Sequence, residues 1–201
     1  MTEVRDCGLE LIRSRRVCRS FTSEPVSTDD LWTILDAARW ALSGGNRRIN
    51  KFLVVHDRSR IGLVRDVSPG MLAQPTALIV ILTDLQKAAD EQVQVERHVT
   101  RWIDVGTAAM NMSLAAHALG LGSCPTTSFS RSGVAVMLDL PPTMVPELIL
   151  QLGHPAERPP AAPSRASTSP MTRAFSSWER VVQSRPSPTT PRPSRSVAPS
   201  A

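Results

Sequence analysis

Residues 77–82 read ALIVIL, the longest uninterrupted apolar run in the chain. It is far shorter than the ~20 residues a membrane-spanning helix needs, and it lacks the alternation of a strand with one wet face. It therefore predicts a central strand, buried from both sides, within "PTALIVILTD". Pro75 stands at the mouth of that strand, where its missing N–H does least harm.

The remaining elements follow from periodicity and punctuation. Residues 4–16 predict a first helix with Leu9, Ile12 and either Cys7 or Leu11 inward. In "VSTDDLWTILDAARWAL", Ser27 and Asp30 make a capping box, and Leu31, Ile34, Leu35, Ala38 and Leu42 form the apolar stripe of a second helix. The glycines of "SGGN" at 43–46 end it. Residues 52–56 predict a strand, 58–66 a short helix, 68–70 a turn and 85–97 a loop or exposed helix. Residues 100–119 predict the longest helix. Its small residues Gly106, Ala109, Ser113 and Ala116 are spaced to admit a second helix closely, Ile103, Met110, Leu114 and Leu121 supply bulk, and Gly120 is a left-handed terminator. A helix at 130–140, stopped by Pro141 and Pro142, and a strand at 146–153 complete the body.

Composition shifts after residue 155. Residues 161–201 hold seven prolines and ten serines, a stretch that cannot repay its ordering entropy by burial. Phe175 and Trp178 are apolar enough to dock, so the chain divides into a body at 1–155, an arm at 156–182 and a disordered basic Pro/Ser-rich tail at 183–201. Lysine and arginine number 23 against 18 acidic residues, and six of the former but one of the latter lie within 161–201, so the net charge of +5 belongs to that end. The balanced body argues against nucleic-acid binding. The tail reads either as a solvated terminus or as a segment pairing electrostatically with an acidic partner. The N-terminal stretch mixes acids and bases with its apolar residues, unlike a signal peptide. Cys7, Cys18 and Cys124 make no CxxC and no paired framework, so disulfides and thiolate metal sites are not expected and a cytoplasmic location is, and the shortness of the longest apolar run leaves no membrane partner expected.

No GxSxG, HExxH, Walker loop or long GxGxxG is present, and the histidines at 56, 98, 117 and 154 lie far apart, which leaves triad and metal chemistry without support. His117 reads as a packing residue. Three features are positive. Arg15, Arg16 and Arg19 in "RSRRVCRSF" offer guanidinium forks to a phosphate or a carbonyl-rich heterocycle, or form a solvated basic turn. "SGGNRR" at 43–48 can present Ser43, Asn46 and backbone donors to a planar cofactor, or be a plain turn. "GLGSCPTTSF" at 120–129 lets backbone approach a flat ring, or is a structural loop.

Taken together, "RSRRVCRSF", "AARWALSGGNRR", "AAHALGLGSCP" and "LILQLGHPAE" resemble, in order and spacing, the FMN-dependent nitroreductase family across residues 8–182. The resemblance implies an α+β fold, a mostly antiparallel central sheet flanked by helices, with 1–155 as the flavin-binding domain. It implies an intertwined homodimer holding two FMN at its interface, with the helix at 104–119 at the close pairing and the C-terminal arm exchanged between partners. Carried over residue by residue, it places Arg15, Arg16 and Arg19 on flavin and phosphate, Ser43 and Asn46 beside the ring, Gly122 and Ser123 over its other side, and Arg165 on the phosphate.

This chain departs from the family pattern at Val17, where serine is common, at Arg48-Ile49-Asn50 in place of Gln-Pro-Trp, and near Arg165, where a second arginine is usual. "VSPGMLAQP" at 67–75, "HALGLGSCPTTSF" at 117–129 and "SSW" at 176–178 are most similar to the large-subunit branch of cyclodipeptide oxidases. That branch implies FMN-dependent oxidation of cyclodipeptides (diketopiperazines) to α,β-dehydro products with oxygen as acceptor, in a higher-order assembly with a small companion subunit. The alternatives are an NAD(P)H-dependent nitroreductase or quinone reductase, and a non-catalytic assembly subunit of the same fold. In every catalytic reading FMN carries the electrons, Arg19 supports the reduced flavin, the substrate is a small molecule and no side chain is assigned as acid or base.

Overall fold

The computed structural model describes residues 2–95 and 99–157. Most of the expected arm, the whole tail, Arg165 and His98 lie outside the described residues. The order is α1 (Thr2–Ser14), α2 (Thr28–Arg39), a 3₁₀ turn (Gly44–Asn46), β1 (Asn50–Val55), α3 (Arg58–Asp66), β2 (Ala77–Asp84), α4 (Leu85–Asp90), α5 (Thr100–Ala118), β3 (Gly122–Thr126), α6 (Arg131–Met137) and β4 (Met144–Gly153). The expected α+β fold is observed, with one four-stranded sheet in the order β1-β2-β4-β3, antiparallel at every pairing.

All eight residues of β2 are buried, as the apolar run requires. Strand alternation sends Ala77, Ile79 and Ile81, with Leu148, Leu150 and Leu152 of β4, to one face. That face is covered by Leu31, Ile34 and Ala38 of α2 and by Val105, Ala108, Ala109, Met112 and Ala116 of α5. Leu78, Val80, Leu82 and Ile149 turn to the other face, under Ile61 and Val64 of α3, Val134 of α6 and Leu138 at its C-cap. Helix α2 begins as expected, with Ser27 Oγ accepting from Asp30 N–H at 3.1 Å and donating to Asp30 Oδ2 at 2.7 Å. It ends at Arg39, earlier than the apolar stripe suggests, which leaves Leu42 76% exposed.

Three local expectations change. Residues 122–126, read as a loop, form the edge strand β3, where Pro125 costs no interior ladder bond. The inward side of α1 is poorly covered, with Leu9 and Ile12 exposed and Leu11 half-buried. The small residues of α5 do not form one surface for a partner helix. Ala109, Ser113 and Ala116 face their own chain, α2 being the helix that approaches, while Gly106 is exposed on the opposite stripe between Ile103 and Met110.

Where β4 runs past the end of β3, a register shift opposite Ile81 and Leu82 buries Glu147 completely. Its carboxylate accepts from Thr83 Oγ1 at 3.1 Å and pairs with Arg101 of α5 at 3.4 Å and Arg131 of α6 at 2.9 Å. Both guanidiniums also lie over the Trp102 ring, at 4.4 and 5.0 Å. The carboxylate thereby ties the two helical layers together across the sheet edge. Truncating Ile34, which is fully buried under β2, to alanine is expected to cost about 2–5 kcal/mol of stability in urea denaturation.

Candidate functional site

The residues singled out in the sequence gather into two groups. The first is the basic segment after α1, lying along the free edge of β3. Val17 pairs with Ser123 in a parallel bridge, and Cys18 N–H donates to Ser123 O at 2.9 Å. Farther on, Phe21 pairs with Pro155 just past the end of β4, so residues 17–21 are held by isolated bridges from the β3 edge to the end of β4. Arg15, Arg19, Gly122 and Ser123 are therefore brought together. Arg16 is turned back, its Nη1 donating to Arg13 O and Arg15 O at 2.6 and 2.7 Å, where it caps the end of α1. Gly122 makes room for a neighbouring segment of its own chain. A Cβ there would stand 2.6 Å from Cys18 Cβ and 3.2 Å from Phe21, so the missing side chain admits this chain's own segment on that face. Ser123 is buried.

His117, near the end of α5, packs against the same segment. Its Nε2 meets Ser14 Oγ at 2.8 Å, in keeping with the packing role read from the sequence. Burial, then the charges of Arg15 and Arg16, hold its pKa below the usual imidazole value.

The second group is the double-glycine turn, held from α5 by Asp104. Gly44 N–H donates to Asp104 Oδ1 at 3.0 Å and Oδ2 at 3.1 Å, and Ser43 Oγ donates to Oδ2 at 3.3 Å. Ser43 Oγ also accepts from Arg48 N–H at 2.9 Å, and Asn46 Oδ1 accepts from Arg48 Nε at 3.0 Å. Gly45, Asn46 and Arg48 have φ of 62°, 56° and 52°, left-handed values that glycine and asparagine tolerate and arginine does not favour. Strain of that kind persists only where its surroundings enforce it, which here are Ser43 and Asp104. A cleft of about 240 Å³ adjoins the turn, lined among others by Leu42, Ser43, Arg48, Asn50, Phe52 and Asp104. Asn50 Oδ1 is buried without a hydrogen-bond partner among the described residues, and Ile49 is buried between the two polar liners.

Sequence reasoning missed Asp104. The available signal was a lone carboxylate on the apolar stripe of α5, one turn before Ala108 and two before Met112. The two groups do not meet within one chain. His117 lies thirteen positions after Asp104 on the helix, about 20 Å at 1.5 Å per residue. Arg165 lies outside the described residues.

The sequence profile of the Nitroreductase family matches residues 12–95 and 64–154. The chain belongs to the nitroreductase family. A protein of Methanothermobacter thermautotrophicus, named for NADH dehydrogenase and NAD(P)H nitroreductase activity, is 31% identical over 159 residues, which cover 75% of this chain and 78% of that protein. The FMN reductase [NAD(P)H] of Bacillus subtilis is 27% identical over 167 residues, covering 74% of this chain and 67% of its own. Among solved structures, an FMN-dependent nitroreductase from Clostridium difficile superposes with a TM-score of 0.70 at 24% identity, covering 85% of this chain and 99% of the other. At that identity the likeness shows the fold alone. Membership makes this chain an oxidoreductase of the nitroreductase family, in which FMN binding is typical.

Removing the Asp104 carboxylate strands the Gly44 N–H and the Ser43 hydroxyl, so Asp104→Ala is expected to cost about 1–3 kcal/mol in urea denaturation. The lowered pKa of His117 means the unfolded chain binds more protons than the folded one below the ordinary imidazole value. Its contribution to stability is thus present above about pH 6.5 and declines as pH falls toward the folded pKa. His117→Gln should narrow the difference in urea midpoint between pH 7.5 and 5.5.

Proposed function

We propose that the chain is an FMN-dependent oxidoreductase that takes electrons from NAD(P)H and passes them to a small electron-poor acceptor, a nitroaromatic or a quinone. Family membership supports this reading, and one geometric observation shapes it: the basic segment with its β3 edge and the double-glycine turn stand at opposite ends of α5, about 20 Å apart. A three-ring cofactor does not bridge that span within one chain. The complete site is read as Arg15, Arg19, Gly122 and Ser123 of one subunit facing Ser43 and Asn46 of a second copy. The outer stripe of α1 and α5 supports such a dimer, with Ile12, Ile103 and Met110 at 60, 56 and 48% exposure. On that stripe, no atom of the described residues outside its own stretch of helix lies within 4 Å of where a Gly106 side chain would stand, so another backbone can come close.

The donor chemistry fits FMN. Residues 13–21 contain four arginines and no carboxylate, which suits a phosphate and the carbonyl edge of the ring. FMN, when bound, supplies hydride exchange at its N5. Arg19 and Arg15 supply positive charge to its anionic parts. Arg16 is committed to the end of α1, Ser43 to its turn and Asn46 Oδ1 to Arg48, which leaves the Asn46 NH2 to reach a ring. The cleft beside that turn, lined by Arg48 and Asn50 where the family commonly carries Gln and Trp, receives the acceptor.

A second reading is cyclodipeptide oxidation with oxygen as acceptor, in an assembly with a small companion subunit. It is favoured by the motifs at 67–75 and 117–129 and by the unpartnered Asn50 Oδ1, which the N–H of a diketopiperazine would satisfy. Reductase names among the relatives weigh toward the first reading.

The absorbance spectrum of the purified protein with FMN, followed anaerobically, separates these readings. Bleaching by NADPH and recovery on adding a nitroaromatic is the expected result. Bleaching by a cyclodipeptide alone moves the assignment to the oxidase, and failure to take up FMN overturns both. Arg15→Ala and Arg19→Ala are each expected to weaken FMN binding about tenfold, the loss of one charge-assisted hydrogen bond, with Arg16→Ala changing it far less; fluorescence titration of FMN measures all three.

A further inference from the structure

Helix α3 borders a second basic cleft. Arg58, Gly62 and Arg65 fall on one stripe of that helix, each arginine about one turn from the glycine. No atom of the described residues, apart from its chain neighbours and its own helix backbone, lies within 4 Å of where a Gly62 Cβ would stand, so the two arginines flank a bare saddle. All three line a cleft of about 330 Å³, which Phe21, Ile61, Pro75 and Thr76 help to wall, a volume within the range of small-molecule sites. Among the described residues no acidic side chain lines it. The acids nearby are engaged elsewhere: Asp57 accepts from Arg60 N–H at 2.9 Å, Asp139 pairs with Arg60 at 3.4 Å and Glu24 lies 3.9 Å from His154. Asp66 follows Arg65 and so leaves from another side of the helix. Arg58 Nη2 donates to Ser23 O at 2.9 Å, which fixes that guanidinium at the cleft and leaves its other N–H groups for a ligand. Arg65 makes no salt bridge among the described residues. Ile61 and Pro75 are buried and Phe21 half-buried, so the cleft also has an apolar side. Thr76 is 9% exposed, and its buried Oγ1 has no hydrogen-bond partner among the described residues, an orphan of the kind that a ligand or an ordered water satisfies.

We propose that this cleft is a binding site for a nucleoside monophosphate. A guanidinium fork on either side of Gly62 suits a phosphate dianion, whose oxygens accept paired N–H bonds. The missing side chain at Gly62 lets the phosphate settle between them, close to helix backbone that a larger residue would screen. Phe21, Ile61 and Pro75 give the flat base an apolar surface to lie on, and the Thr76 hydroxyl offers the base or the ribose a polar partner. Inorganic phosphate would use only the first half of these features and an uncharged nucleoside only the second. Binding here needs neither Arg15 nor Arg19, so it stands whether or not the chain takes FMN.

The test is calorimetric titration of the full chain with AMP, inorganic phosphate and adenosine. AMP is expected to bind, phosphate about tenfold more weakly and adenosine more weakly still. Arg58→Gln and Arg65→Gln should each weaken AMP binding about tenfold, the loss of one charge-assisted hydrogen bond. Gly62→Leu should abolish it by filling the saddle, with no fall in thermal midpoint, because leucine is a better helix former than glycine and meets open space there. Arg60→Gln, on the same helix but turned to Asp139, should leave it unchanged. The Arg15→Ala, Arg19→Ala double variant should bind AMP as the parent does, which separates this site from the flavin reading. No binding of AMP by the parent chain, or unchanged binding by the Arg58, Arg65 or Gly62 variants, would overturn the proposal. So would loss of AMP binding in the Arg15, Arg19 double variant, which would move the nucleotide to the segment after α1. Phosphate binding as tightly as AMP, or adenosine doing so, overturns the assignment of the ligand.

Discussion

Strand β2 sets the architecture because none of its eight residues can face water. Alternation makes it present Ala77, Ile79 and Ile81 to one side and Leu78, Val80 and Leu82 to the other, so both sides of the sheet need helices. Its antiparallel neighbours β1 and β4 satisfy its backbone, α2 with α5 covers one face, and α3 with α6 covers the other. The helix that covers the first face is nineteen residues long, and its length decides where the candidate functional groups fall.

Helix α5 acts as a spacer. Near its start, Asp104 turns a carboxylate onto the backbone of Gly44 and the hydroxyl of Ser43, which holds Gly45, Asn46 and Arg48 in left-handed conformations. Near its end, His117 holds Ser14, from which the basic segment runs along β3. Each half of the candidate site is fixed to the same rigid rod, so neither half can move to meet the other within one chain. This is the physical reason for proposing that a second copy completes it, and the exposed stripe of Ile103, Gly106 and Met110 lies between the two ends.

Much of this was legible in the sequence, for reasons that can be named. The β2 run, the Ser27 cap and the Gly120 terminator, with φ of 77°, are local signals that tertiary packing had no cause to override. The order of four motifs identified the family and so the antiparallel sheet, which no single segment could have implied. What failed was long-range or two-sided. The small residues of α5 fit a partner helix equally well whether that helix belongs to the same chain or another, and only burial shows that Ala109, Ser113 and Ala116 turn inward. Nothing in the neighbours of Gly122 announces that Cys18, far away in sequence, fills the space on its Cβ side. The bridge between Val17 and Ser123 is invisible for the same reason, since the segment after α1 carries no sign that it will meet β3.

The most direct test of the proposed two-chain site is subunit complementation. A chain carrying Arg15→Ala and Arg19→Ala and a chain carrying Ser43→Ala and Asn46→Ala are purified separately and as a co-expressed, doubly tagged pair, and bound FMN is counted per dimer. With the site shared between copies, the mixed dimer has one pocket that takes both intact halves, so it should bind about one FMN per dimer while each parent dimer binds far less. A mixed dimer that binds no more flavin than its parents would place the whole site within a single chain and contradict the account.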